Sequence, residues 1–82
     1  MELNDFLNNF ASQFDETDVA DFTPLTKFKE LDEWSSLIAL SVIAMVDEAY
    51  GVSIKGNDIR KAETIADLFY VVKSSNNGIS KN

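Results

Sequence analysis

Two adjacent serines, Ser35 and Ser36, stand directly before an apolar stretch that begins at Leu37. A serine at the start of a helix lies beside unpaired backbone N–H groups and the positive end of the helix dipole. A phosphate ester on such a hydroxyl is stabilised electrostatically. The more common role of a serine at this position is to cap the helix by accepting a backbone N–H. The pair therefore indicates a helix start and a candidate site for a phosphate group.

The residue types that most often carry catalysis are missing from the chain. It has 82 residues, with no histidine and no cysteine. This excludes a Ser-His-Asp triad, a thiolate nucleophile, a disulfide framework and an ordinary structural zinc site. General acid–base catalysis would fall to Asp, Glu, Lys or Tyr, a small set for an enzyme of this length. We therefore expect a protein without catalytic activity of its own and without a metal site.

The charge balance is strongly acidic, with 14 Asp and Glu residues against 7 Lys and Arg and a net charge of −7. Binding to nucleic acid depends on cationic side chains that displace counterions from phosphates, so we expect no nucleic-acid partner. An acidic surface instead attracts basic partners. A protein that mimics nucleic acid is a weaker alternative, because that function would not explain the Ser36-Leu37 pair or the apolar stripe described below.

Length and hydropathy indicate one modest core in a cytoplasmic protein. The first residues lack the basic region of a signal peptide. The longest apolar run, from Leu37 to Val46 with Ser41 inside it, has about half the length of a membrane span.

Apolar spacing predicts helices and no strand. Residues 1–14 carry an apolar face with helical periodicity, and a second helix runs from Ser35 or Ser36 to Tyr50, where Gly51 suits a left-handed cap. Residues 57–61 can form a short helix. Thr64 then caps a last helix whose buried face is predicted to contain Ile65, Leu68, Phe69 and Val72. The predicted fold is an all-α small four-helix bundle, with three main helices and one short helix, over residues 1–73; residues 74–82 are predicted to form a flexible tail.

The segment between the first two helices is a long connection. Pro24 interrupts any helix in it, and we expect its scattered apolar residues to fasten it to the core: Val19, Phe22, Leu25, Phe28 and Leu31. Trp34 is expected to do the same. Three aspartates, Asp15, Asp18 and Asp21, invite a calcium interpretation, but they lack the glycine and the terminal Glu of an EF-hand loop, so a solvated acidic loop is favoured.

The second predicted helix is apolar on two faces. At 100° per residue, one face holds the predicted core contacts Ala39, Val42, Ile43, Val46 and Tyr50. Leu37, Leu40 and Ala44 lie on another face, bordered by Asp47 and Glu48. An exposed apolar stripe with an acidic border is typical of a protein-interaction surface. The alternative is that other parts of the chain cover the stripe.

In order and spacing, these features resemble the acyl carrier protein family. The matching segments are Trp34-Ser35-Ser36-Leu37, then Val46-Asp47-Glu48-Ala49-Tyr50-Gly51-Val52-Ser53-Ile54, then Ala62-Glu63-Thr64-Ile65-Ala66-Asp67-Leu68. The resemblance covers nearly all of residues 1–73. Ser35 stands where the family usually has Asp.

The resemblance implies that Ser36 carries a covalent 4′-phosphopantetheine arm whose thiol holds acyl groups as thioesters, with Ser35 as the alternative site. Its partners would be a phosphopantetheinyl transferase and acyl-transferring, condensing or ligase enzymes with basic docking patches, and the carrier would act as a monomer. Docking would use Leu37, Leu40, Ala44, Asp47, Glu48 and Glu33, with Glu30 and Asp32 adding charge. Possible walls of an acyl pocket are Val46, Ile54, Ile59, Ala62 and Leu68, each of which is equally well explained as a core residue.

Two alternatives stand beside this interpretation. The chain could be a carrier-like helical docking module that is never modified, or an unrelated acidic bundle.

The pathway served by a carrier of this kind stays open, because fatty acyl, polyketide, aminoacyl and sugar-modifying pathways all use acyl-carrier-like proteins. The modest acidity of the second helix favours a specialised bacterial pathway over primary fatty acid synthesis.

Overall fold

The computed structural model describes residues 2–80, with side chains as far as residue 75. Four α-helices follow in chain order: α1 (Leu3–Ala11), α2 (Ser36–Tyr50), α3 (Gly56–Lys61) and α4 (Ile65–Ser80). Two short 3₁₀ turns, Val19–Asp21 and Phe28–Glu30, lie in the long connection between α1 and α2. Over the described residues the molecule is a small helical bundle without strands, as predicted.

Helix α1 ends earlier than its apolar pattern predicts. The prediction continued to Phe14, but the α-helix stops at Ala11. The Ser12 amide still bonds four residues back, to Asn8, but the amides of Gln13 and Phe14 bond to carbonyls three residues back, at 3.1 and 3.0 Å. This tighter turn still buries Phe14, which is 7% exposed. The periodicity therefore predicted the buried residues correctly but overestimated the length of the α-helix.

Aromatic side chains form much of the core. The Phe10 ring lies at the centre, 5.3 Å from Phe28 and 5.6 Å from Phe14 between ring centroids. Trp34 packs edge-on against Phe28 at 5.0 Å, which confirms that it fastens the connection to the core. Such ring pairs add about 0.5–1.5 kcal/mol each beyond the burial of apolar area. They compensate for the lack of a disulfide in this small chain.

The long connection is held at some of the predicted anchors and not at others. Phe22 and Phe28 are buried and Leu31 packs against the core. Val19 and Leu25, predicted as anchors, are 57% and 78% exposed, so this prediction was wrong. Backbone bonds fix the Leu25 turn instead, because the carbonyls of its neighbours Pro24 and Thr26 accept the amides at the start of α4.

The predicted ends of α2 are confirmed. Ser35 is the N-cap, and its Oγ accepts the Ile38 amide at 3.2 Å. Gly51 ends the helix with φ +67°, and its amide donates to the Asp47 carbonyl at 2.9 Å. Glycine adopts this left-handed conformation without the steric penalty of a Cβ atom. These two caps fix where the exposed face of α2 begins and ends.

Helix α4 has the predicted capping box and buried face but a later end. The Thr64 Oγ1 accepts the Asp67 amide at 3.1 Å, and Asp67 Oδ2 accepts the amides of Glu63 and Thr64. All four residues of the predicted buried face are buried: Ile65, Leu68, Phe69 and Val72. Although the prediction ended α4 at residue 73, its backbone continues to Ser80. No proline interrupts this segment, so the helical bonds can continue beyond residue 73. Residues 81 and 82 lie outside the described residues.

Candidate functional site

The structure distinguishes the two candidate serines. Ser35 has an extended backbone and uses its hydroxyl oxygen to cap α2. Ser36 is the first helical residue, and its side chain is exposed. Within the described residues, no hydrogen bond of the chain involves the Ser36 hydroxyl. Of the two, Ser36 therefore has the hydroxyl that is not used in holding the fold.

A surface groove of about 510 Å³ lies beside Ser36. One wall is α2, through Ser36, Ala39, Leu40 and Ile43. The other lining residues come from α3 and from the segments before α2: Lys29, Trp34, Ser35, Gly56, Ile59 and Arg60. The groove combines apolar side chains with cationic and hydroxyl groups in its lining. We call it the Ser36 groove.

Most residues of the Ser36 groove were not predicted as site residues from the sequence. Lys29 and Arg60 come from different elements, 31 residues apart, yet Lys29 Nζ donates to the Arg60 carbonyl at 2.7 Å. This contact joins the second 3₁₀ turn to α3. No local spacing in the sequence signals a contact between such distant segments.

The predicted docking face of α2 is exposed. Leu37 and Leu40 are 72% and 63% exposed, and Ala44, Asp47 and Glu48 are exposed as well. The long connection leaves the two leucines open to solvent, contrary to the alternative that it covers them. The five residues form a continuous apolar and acidic surface along α2, which we call the α2 face.

Glu33 has an internal role that the sequence did not reveal. Its carboxylate accepts the backbone amides of Asp15, Glu16 and Thr17 at distances from 2.6 to 3.2 Å, and also the Thr17 hydroxyl at 2.8 Å. Partial desolvation alone would raise the pKa of Glu33, but these hydrogen bonds outweigh it and lower the pKa below its ordinary value. Glu33 thus holds residues 15–17 of the long connection against the segment just before α2, and its docking role stays a prediction.

The five predicted walls of an acyl pocket do not surround one open space. Val46, Ile54, Ala62 and Leu68 lie in the hydrophobic core, between 0% and 3% exposed. Ile59, which is also buried, is the member of this set that lines the Ser36 groove. A chain entering between the other four would have to part core contacts.

The acidic connection gathers no metal-binding cluster in the part of the chain that the structure describes. Asp18, one of the three aspartates considered for calcium, accepts the Ala20 amide at 3.0 Å and caps the first 3₁₀ turn. Among the described residues, no helix is both long and apolar enough to cross a bilayer.

The chain matches no family model, no curated protein and no solved structure. Its candidate function therefore depends on the residues and geometry described above.

Proposed function

We propose that the chain is a carrier protein bearing 4′-phosphopantetheine on Ser36. The observation that carries this proposal is the contrast between the two serines. Ser35 caps α2, while the exposed Ser36 begins it with a hydroxyl that the fold does not use. The resemblance to acyl carrier proteins supplies the identity of the group, and the position of Ser36 supports its attachment.

The surroundings of Ser36 fit a phosphate-linked arm. The first turn of α2 offers unpaired N–H groups near the hydroxyl, and the helix dipole favours negative charge there. Ser36 lines the Ser36 groove together with apolar side chains of α2 and α3. When bound, the arm supplies the reactive thiol for thioester formation that a chain without cysteine lacks.

The attachment uses Ser36 as the acceptor. Its Oγ forms a new bond to phosphorus and gives up its proton, while the adenosine bisphosphate half of coenzyme A leaves. A phosphopantetheinyl transferase would provide the base and the Mg²⁺. Ser36 contributes an accessible nucleophile on a rigid helix end, so the transferase need not unfold any part of the chain to reach it.

The α2 face supports recognition by partner enzymes. Leu37, Leu40 and Ala44 offer apolar contact, while Asp47 and Glu48 complement basic patches. Charge attraction speeds encounter and is screened over about 8–10 Å at ordinary ionic strength. Binding of this kind is transient, as a shuttle between enzymes requires.

A second candidate function is an unmodified docking module. It is favoured by the exposure of Leu37 and Leu40, because an apolar and acidic face can bind a basic partner without any arm. This candidate predicts the same docking surface but no covalent change at Ser36. Modification therefore separates the two functions.

The deciding experiment is the intact mass of the chain after incubation with coenzyme A, Mg²⁺ and a broad-specificity phosphopantetheinyl transferase. We expect one phosphopantetheine per chain, abolished by Ser36→Ala and retained by Ser35→Ala. Because Ser35 caps α2, circular dichroism must first show that each variant is folded. An unchanged mass in the unmutated chain contradicts the carrier function. If only Ser35→Ala abolishes the added mass, the arm is attached to Ser35 instead of Ser36.

A further inference from the structure

The Ser36 groove has an unusual charge for this chain. The molecule carries twice as many acidic as basic residues, yet no Asp or Glu lies among the described residues that line the groove. Two of the seven cations, Lys29 and Arg60, do line it. A concave site with one sign of charge concentrates ligands of the opposite sign. The groove is thus locally suited to an anion on a molecule whose field otherwise repels anions.

Each of the two cations contacts other groups of the chain. Lys29 Nζ donates to the Arg60 carbonyl at 2.7 Å and lies 6.0 Å from the centre of the Phe28 ring. The Arg60 guanidinium contacts Asn57 Oδ1 at 3.4 Å. An ammonium has three hydrogens and a guanidinium five, so both groups keep donors for a ligand.

On this basis we propose that Lys29 and Arg60 bind the phosphodiester of the Ser36-linked arm, holding the start of the arm in the Ser36 groove. This inference rests on the proposed function. Ser36 lines the same groove as the two cations, so an anion bonded to its Oγ begins inside the site. The apolar residues Ala39, Ile43 and Ile59 then face the part of the arm beyond the phosphate.

The test compares thermal unfolding of the loaded and unloaded forms of each variant, with loading first verified by intact mass. In the unmutated chain we expect the arm to raise Tm by about 1–8 °C, as one or two exposed charge contacts can do in a domain of this size. The double variant Lys29→Gln/Arg60→Gln should lose at least half of that increase. Each variant is compared with its own unloaded form, so a change in basal stability does not affect the result.

The matched control is Lys27→Gln/Lys61→Gln, which removes the same net charge from neighbouring positions outside the groove. It should retain the full increase, and about 0.5 M NaCl should reduce the increase in the unmutated chain through screening. The single variant Arg60→Gln, at an exposed position, serves if the double variant fails to fold.

The outcomes separate this inference from the proposed function. A chain that takes up no arm contradicts both. A chain that is loaded, but whose Tm increase is equal in the groove variant and the control, contradicts the role of Lys29 and Arg60 and leaves the carrier function standing. Loss of the increase in both double variants also overturns the inference, because it assigns the effect to net charge alone.

Discussion

Glu33 shows how one residue can serve the fold close to a candidate functional site. It lies three positions before Ser36, and its carboxylate receives hydrogen bonds from three consecutive residues of the preceding segment. Asp67 acts similarly at the start of α4, where the amides of Thr64 and Glu63 lower its pKa against partial desolvation. A carboxyl that binds protons more weakly in the folded than in the unfolded state stabilises the fold only while ionised.

We expect the free energy of unfolding to fall on acidification below about pH 4.5, the ordinary value for Glu33. Glu33 and Asp67 both have a lower pKa in the folded chain than in the unfolded chain. Each therefore stabilises the fold fully at pH values above its unfolded pKa, and this stabilisation is lost as the pH falls through its folded pKa. Denaturant unfolding, followed by the fluorescence of Trp34, measures this. Glu33→Gln should flatten the acid dependence, whereas Glu30→Gln, an exposed control, should not. Equal acid dependence in all three proteins would contradict this role of Glu33.

At the scale of the elements, the sequence predicted local features better than contacts between segments. The caps at Ser35, Gly51 and Thr64 were predictable because each depends on a few adjacent residues. The exposure of Leu25 was not predictable from the sequence. It depends on the carbonyls of Pro24 and Thr26, which accept amides of α4 about 40 residues away. The same limit applies to the candidate site: the sequence was enough to propose Ser36 as a candidate, while the groove beside it required the fold.

Gly51 offers a direct test of how α2 ends. Gly51→Ala should destabilise the protein by about 1–2 kcal/mol, because alanine is strained at φ +67°. A Cβ at this position would meet no atom within 4 Å, so the cost comes from the backbone alone. Gly56→Ala is the matched control: it has equal space and no positive φ, so it should be neutral or stabilising by up to about 1 kcal/mol. Equal effects of the two substitutions in denaturant unfolding would argue against the left-handed cap.

At the scale of the whole molecule, acidic surface and basic groove are separated. The α2 face presents Asp47 and Glu48 next to exposed leucines, while Lys29 and Arg60 lie at the Ser36 groove. Under the proposed function, this arrangement would attract a partner with a basic patch to α2 beside Ser36. The net charge of −7 is predictable from composition, but the meeting of Lys29 and Arg60 follows from the packing of the second 3₁₀ turn against α3.

The partner that tests this arrangement is the transferase itself. Asp47→Asn/Glu48→Gln should raise its KM for the chain by about two- to tenfold, as the loss of exposed charge contacts predicts, with little change in kcat. Salt should reduce the difference between variant and unmutated chain. Glu2→Gln/Asp5→Asn removes equal charge from exposed positions of the α1 region and should have little effect. An equal KM increase in both variants would show that net charge, and not the α2 face, guides recognition.

The most direct test of the central claim is to locate the added group on the unmutated chain. After treatment with transferase and coenzyme A, trypsin should release residues 30–55 as one peptide, which contains both serines and no internal Lys or Arg. Electron-based fragmentation of that peptide then separates Ser35 from Ser36 without any substitution. We predict one phosphopantetheine on Ser36. An unmodified peptide, or an arm on any other residue, would contradict the proposal.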